Sequence, residues 1–146
     1  HLFRRPSYQN GVQGIGSMRG IPDVAADGDP VTGIAVITAN AGGGYTISGH
    51  AGTSASAPLR AGIIALADQY AQRHLGFVNP AIYQIARSPH SHQAFHDVTA
   101  GPNSTAEFPH GTITGYPPAP GWDPVTGWGS PNAQALVPLF ASYPGR

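Results

Sequence analysis

The chain has 146 residues, of which 40% are apolar, enough for about one domain with a real core. Its charge is scarce and balanced (seven Arg, no Lys, six Asp, one Glu), so nucleic acid and anionic membrane are poor partners. No apolar run reaches the ~20 residues that span a bilayer, and the lack of Cys removes disulfide frameworks and thiolate zinc sites.

In chain order, residues 1–22 are polar and Gly-rich and carry no apolar leader segment. The "GVQGIGSMRG" stretch lacks both the preceding strand and the following Lys-Ser/Thr of a phosphate loop, so it reads as an ordinary loop. "PDVAAD" (22–27) is a short apolar step suited to a buried strand. In "GIAVITANAGGGYTISGH" a β-rich run, a turn over 40–44 and a second alternating run predict a hairpin.

The segment from Ala55 to about His74 is the strongest helix, and its first part is apolar nearly all round, which predicts burial on most faces. Pro58 is tolerated only in a first turn, so the helix starts at Thr53–Ala55, and Gly76 is a natural stop. Asn79-Pro80 reads as a cap followed by the first helical residue of a short helix to about Arg87. Residues 88–129 read as loop, and Ser130-Pro131 repeats the cap-and-Pro signal before a last helix interrupted by Pro138.

Ser54 opens the long helix behind Gly52 and Thr53. A serine there sits beside unpaired backbone N–H groups and the positive end of the helix dipole, where an oxyanion is stabilised. Capping alone explains an isolated Ser before an apolar run. Capping needs one oxygen, however, and not the whole set of small residues in "GTSASAP". His50, four residues earlier, raises a Ser-His pairing, but nothing in the tight intervening loop fixes its ring on Ser54.

Asp97 and Asp123 are the carboxylates of the 88–146 region besides Glu107, and taken alone both read as turn residues. "DGD" (27–29) is not an EF-hand start, because Val31 stands where a third oxygen is needed. Asn103-Ser104-Thr105 is a glycosylation sequon, meaningful in a eukaryotic secretory pathway. Seven His and few carboxylates suit acid tolerance, since few native ion pairs are lost on acidification.

"AGTSASAP" resembles the nucleophile motif of the sedolisins, the serine-carboxyl peptidases related to subtilisins. "RGIPDVAADGDPVTG", "LGFVNPAIY", "FHDVTAG" and "PGWDPVTGWGSPN" resemble further family segments in the same order, over residues 19–139. The resemblance implies an α/β fold: the C-terminal portion of a subtilisin-like parallel sheet flanked by helices, with a nucleophile helix over 54–75 and a calcium-loop region over 95–129. It implies Ser54 as nucleophile of a secreted peptidase that works in acid on polypeptides. It also implies a Ca2+ site of Asp97, Val98, Ala119, Gly121 and Asp123, with main-chain oxygens from the middle three.

The family's base Glu, its assisting Asp and its oxyanion Asp lie well upstream of the serine, and no position here matches them. Glu107 follows the serine, in a stretch read as loop, and Asp23 and Asp27 fall in a structural segment. The expected partner is therefore the upstream N-terminal half of the same domain, without which the chain is expected to be inactive. Two alternatives are a Ser-His-Asp subtilase fragment and a non-catalytic, calcium-stabilised module.

Overall fold

The hairpin forms where alternation and turn chemistry place it. In the computed structural model, which describes residues 3–101, 103–107, 109 and 111–144, β1 (Ile34–Ala39) pairs antiparallel with β2 (Tyr45–His50). Ile37 lies opposite Ile47 and Ala39 opposite Tyr45, so one face of the hairpin is apolar. That face is exposed, with Ile47 at 71%.

Helix α1 (Thr53–Ala71) follows, with Pro58 in its first turns. It ends earlier than Gly76: Gln72 takes the left-handed conformation, and its N–H reaches the carbonyls of Asp68 and Gln69. Ile63 and Ala67 are buried and the helix packs on α4 (Ala133–Ser142), while Leu59, Leu66 and Tyr70 form an exposed stripe. Burial on most faces is therefore not reached within this chain.

Helix α2 (Asn79–Ala86) starts at Asn79 rather than being capped by it, with Pro80 in the first turn. It supplies much of the core, including Ile82, Tyr83 and Ile85, which lie with Phe95, Leu136 and Phe140. Residues 88–129 are less irregular than the sequence suggests. They hold α3 (Ser91–Ala94), β3 (Phe95–His96) and the small hairpin of β4 (Thr105–Glu107) and β5 (Gly111–Ile113), so Glu107 is on a strand. Ser130-Pro131 is not a cap but β6 (Ser130–Pro131), paired antiparallel with β3; Asn132 precedes α4 instead.

Residues 22–27 form no strand. They run between α1 and the 122–129 loop, held by Trp128 N–H to Asp23 O (3.0 Å), Ala25 N–H to Gly129 O (3.0 Å) and Trp122 Nε1–H to Pro22 O (3.0 Å). All three sheets among the described residues are two-stranded and antiparallel.

A polar network fixes the N-terminal loop on α2. Gln9, fully buried in a 3-10 turn (Ser7–Gln9), exchanges two 2.9 Å hydrogen bonds with the backbone of Gly20. Its amide also donates to the Tyr83 hydroxyl at 2.6 Å, which donates to Asp23 at 2.7 Å. Asn79 and Arg19 also donate to this carboxylate, so the network itself is satisfied, whereas the buried Trp128 Nε1 has no partner among the described residues.

Candidate active site

Strand β2 delivers the chain to α1 through Ala51 and Gly52. Gly52 is the residue before the helix and has φ of 75°, a conformation that strains any L side chain, which is why glycine stands there. Its carbonyl accepts the N–H groups of Ala55 (3.0 Å) and Ser56 (3.2 Å). The N–H groups of Thr53 and Ser54 have no partner among the described residues, and no side chain caps the helix. Ser54 is exposed, and its hydroxyl makes no hydrogen bond among the described residues. It therefore does not cap. The turn presents a free hydroxyl beside two unpaired donors at the positive end of a 19-residue helix, an arrangement able to stabilise an oxyanion.

The turn is tied to the 25–28 segment at three points. Gly52 N–H donates to Gly28 O at 3.0 Å, the Ser56 hydroxyl to Asp27 O at 2.9 Å, and Arg60 Nη2 to Ala25 O at 3.0 Å. Burial pushes the Arg60 guanidinium down to about 10, against the opposing pull of Asp23. Nothing in the sequence singles out Ser56 or Arg60, because their acceptors are main-chain oxygens.

His50 Nε2 lies 3.0 Å from Ser48 Oγ, two residues back on the same face of β2. Its ring is thus engaged with Ser48 and not with Ser54, the opposite of what a Ser-His pair needs.

Four of the five residues expected to hold a metal meet around the 119–123 loop. Gly121 N–H donates to Asp97 Oδ2 at 2.7 Å, and Ala119 N–H donates to Asp123 Oδ2 at 3.1 Å. Asp123 is buried (1% exposed), and its Oδ1 accepts the N–H groups of Val125 and Thr126, each at 2.8 Å. It is therefore also the turn residue that "DPVTG" suggests. Asp97 is exposed and follows β3, and Val98 is half-buried beside it. The close approach of the two segments depends on Gly129: a β-carbon there would lie 2.0 Å from His96 O.

Two carboxylates and main-chain carbonyls are the donor types that a hard cation takes, and the carbonyls of Val98, Ala119 and Gly121 accept no hydrogen bond among the described residues. No three side chains of His, Cys, Asp or Glu that could hold a metal ion cluster among the described residues, so a cation here would need main-chain oxygens beside Asp97 and Asp123. A cavity of about 380 Å³ opens beside Asp97 and Gly121, lined also by His92, His96 and Trp128.

No family model matches the chain. Kumamolisin of Bacillus sp. (strain MN-32) is 39% identical to it over 148 residues, covering 94% of this chain and 24% of its own length. Tripeptidyl-peptidase SED1 of Arthroderma otae is 37% identical over 133 residues, covering 88% of this chain and 17% of its own length. Tripeptidyl-peptidase 1 of Homo sapiens is 38% identical over 125 residues, covering 83% and 20%. The chain thus spans no more than 24% of the length of these relatives.

Proposed function

The chain belongs to the sedolisin family of serine-carboxyl peptidases, and from this we propose that it forms the nucleophile-bearing part of a larger endopeptidase domain. In this reading Ser54 Oγ attacks the carbonyl carbon of a scissile peptide bond. Its proton passes to a carboxylate base supplied by the rest of the domain. The amine leaves protonated, and water then releases the acyl group and regenerates the serine. The backbone N–H groups of Thr53 and Ser54 steady the developing oxyanion.

The observation that carries this reading is the state of Ser54: an exposed hydroxyl, uncommitted to any hydrogen bond among the described residues, at the start of α1. The engagement of His50 with Ser48 gives no support to His50 as the base of a competing Ser-His arrangement.

The remainder of the domain also accounts for the apolar surface. The hairpin face of Ile37, Tyr45 and Ile47 and the α1 stripe of Leu59, Leu66 and Tyr70 are what a continuing subtilisin-like parallel sheet and its neighbours would cover.

Asp97 and Asp123, with main-chain oxygens of Val98, Ala119 and Gly121, would hold Ca2+, which would tie the 95–98 and 119–123 segments together as a structural ion. The same reading makes the enzyme extracellular and active in acid, where a carboxylate base with an ordinary pKa near 4 still ionises. No helix among the described residues is long and apolar enough to cross a membrane.

The test is to express residues 1–146 alone and within the complete domain, and to treat both with a fluorophosphonate, whose fluoride is displaced by an activated serine oxygen. Labelling at Ser54 only in the complete domain, with peptide cleavage abolished in Ser54→Ala, is the expected result. Efficient Ser54-dependent cleavage by the isolated chain overturns it.

A further inference from the structure

Ser54 is bracketed by two hydrogen bonds to one neighbouring segment. Two residues before it, Gly52 N–H donates to Gly28 O at 3.0 Å; two residues after it, the Ser56 hydroxyl donates to Asp27 O at 2.9 Å. The backbones are in contact as well, for a β-carbon on Gly28 would stand 3.7 Å from Gly52 Cα. The acceptor segment is itself held, because Asp27 Oδ1 accepts the Asp29 N–H at 3.0 Å and the Thr32 hydroxyl at 3.1 Å.

The helix does not need the Ser56 hydroxyl. Ser56 N–H already bonds Gly52 O at 3.2 Å, and the hydroxyl adds only a back-bond to that same oxygen, also 3.2 Å, of a kind that tends to bend helices. Alanine is the better helix former at such a position. What serine adds is the shorter bond out to Asp27, the side-chain tether in the first turn of α1.

We infer that Ser56 is a positioning residue for acyl transfer: its hydroxyl sets the tilt of the first turn of α1, and with it the direction of Ser54 Oγ and of the two unpaired N–H groups. The inference rests on Ser54 being the nucleophile. Attack requires the oxygen within a narrow range of distance and angle, so a turn left free to rock loses rate without losing substrate contacts made elsewhere. The effect belongs in kcat and in the acylation step, with KM unchanged.

The experiment compares Ser56→Ala and Ser56→Thr with the parent in the complete domain. It reads kcat, KM, the limiting rate of Ser54 phosphonylation and the melting temperature. Loss of one neutral hydrogen bond should lower kcat and the phosphonylation rate together by about 3- to 10-fold in Ser56→Ala. KM should hold, and Ser56→Thr, which keeps a hydroxyl, should recover most of the rate. A Ser56→Ala enzyme that is phosphonylated at the parental rate overturns the proposal, whatever its melting temperature. So does a Ser56→Thr enzyme no faster than Ser56→Ala, because the loss is then one of packing. A parent enzyme that cleaves peptides without labelling at Ser54 removes the nucleophile reading and this inference with it. Labelling at Ser54 with an unaffected Ser56→Ala removes this inference alone.

Discussion

The Tyr83 hydroxyl donates to Asp23 at 2.7 Å, joining the middle of α2 to a segment 60 residues earlier in the chain. Tyr83 is 1% exposed, and burial, reinforced by the bond to Asp23, holds its phenol above the ordinary 10.0. A raised tyrosine favours the folded state fully below the unfolded value and loses that advantage as pH climbs past it. Stability should therefore fall as pH rises beyond 10, with a smaller contribution from Tyr8, which burial also raises.

Replacing Tyr83 by Phe should cost about 1–3 kcal/mol at neutral pH, because the buried amide of Gln9 loses one of its acceptors and Asp23 a donor. The same variant should flatten the alkaline decline. Denaturant titrations of both proteins at pH 7 and above pH 10 check it; an unchanged midpoint at pH 7 would show the network to be dispensable.

Gly129 should tolerate no side chain. Its φ is 85°, and a β-carbon would sit 2.0 Å from His96 O and 3.0 Å from Asp97 Cα. Gly129→Ala must therefore push the β3 end away from the loop that carries Asp123. A melting temperature near the parental value would contradict this geometry.

Some of this architecture is legible in the sequence and some is not, for physical reasons. The β1–β2 hairpin is short-range: alternation and a Gly-rich turn specify it locally. The start of α1 is local too, because Pro58 allows few positions for it. The end of α1 misleads because Gln72, not a glycine, adopts the left-handed conformation. Strands β3 and β6 have two residues each and pair across more than 30 positions, so no periodicity can reveal them. At the site, Ser54 stands out through its small neighbours. The approach of Asp97 to Gly121, 24 residues apart, is suggested by family resemblance and not by spacing. The tether from Ser56 ends on a carbonyl, which every residue possesses, so side-chain pattern carries no trace of it.

Calcium should raise the melting temperature, and the two carboxylates should differ in how they fail. At a hundred times its dissociation constant the ion would add about 2.7 kcal/mol. Asp97→Asn should lose the response to calcium and change little in a chelator, since Asp97 is exposed and accepts the Gly121 N–H. Asp123→Asn should lose the response and also be weaker in the chelator, because its buried carboxylate accepts backbone N–H groups from Ala119, Val125 and Thr126. Thermal melts with calcium and with chelator separate these cases; a full calcium response in both variants would exclude the site.

The exposed apolar faces give a prediction with two opposite arms. Ile47 is 71% exposed, Tyr70 65% and Leu66 54%, and they belong to contiguous faces rather than isolated positions. If these faces are covered by the rest of a larger domain, the isolated 146 residues should associate with themselves. Ile47→Thr together with Leu66→Gln should then make the isolated chain more monomeric, because association gains about 25 cal/mol per Å² of apolar surface buried and less of it remains. In the complete domain the same pair of changes should act in reverse. Each buried polar group without a partner costs about 1–3 kcal/mol, so the domain should melt lower and lose activity in proportion to the unfolded fraction. Sedimentation of the isolated chain and thermal melts of the complete domain read the two arms separately. A complete domain as stable with both substitutions as without them would mean that these faces stay in water, and that the remainder of the domain docks elsewhere.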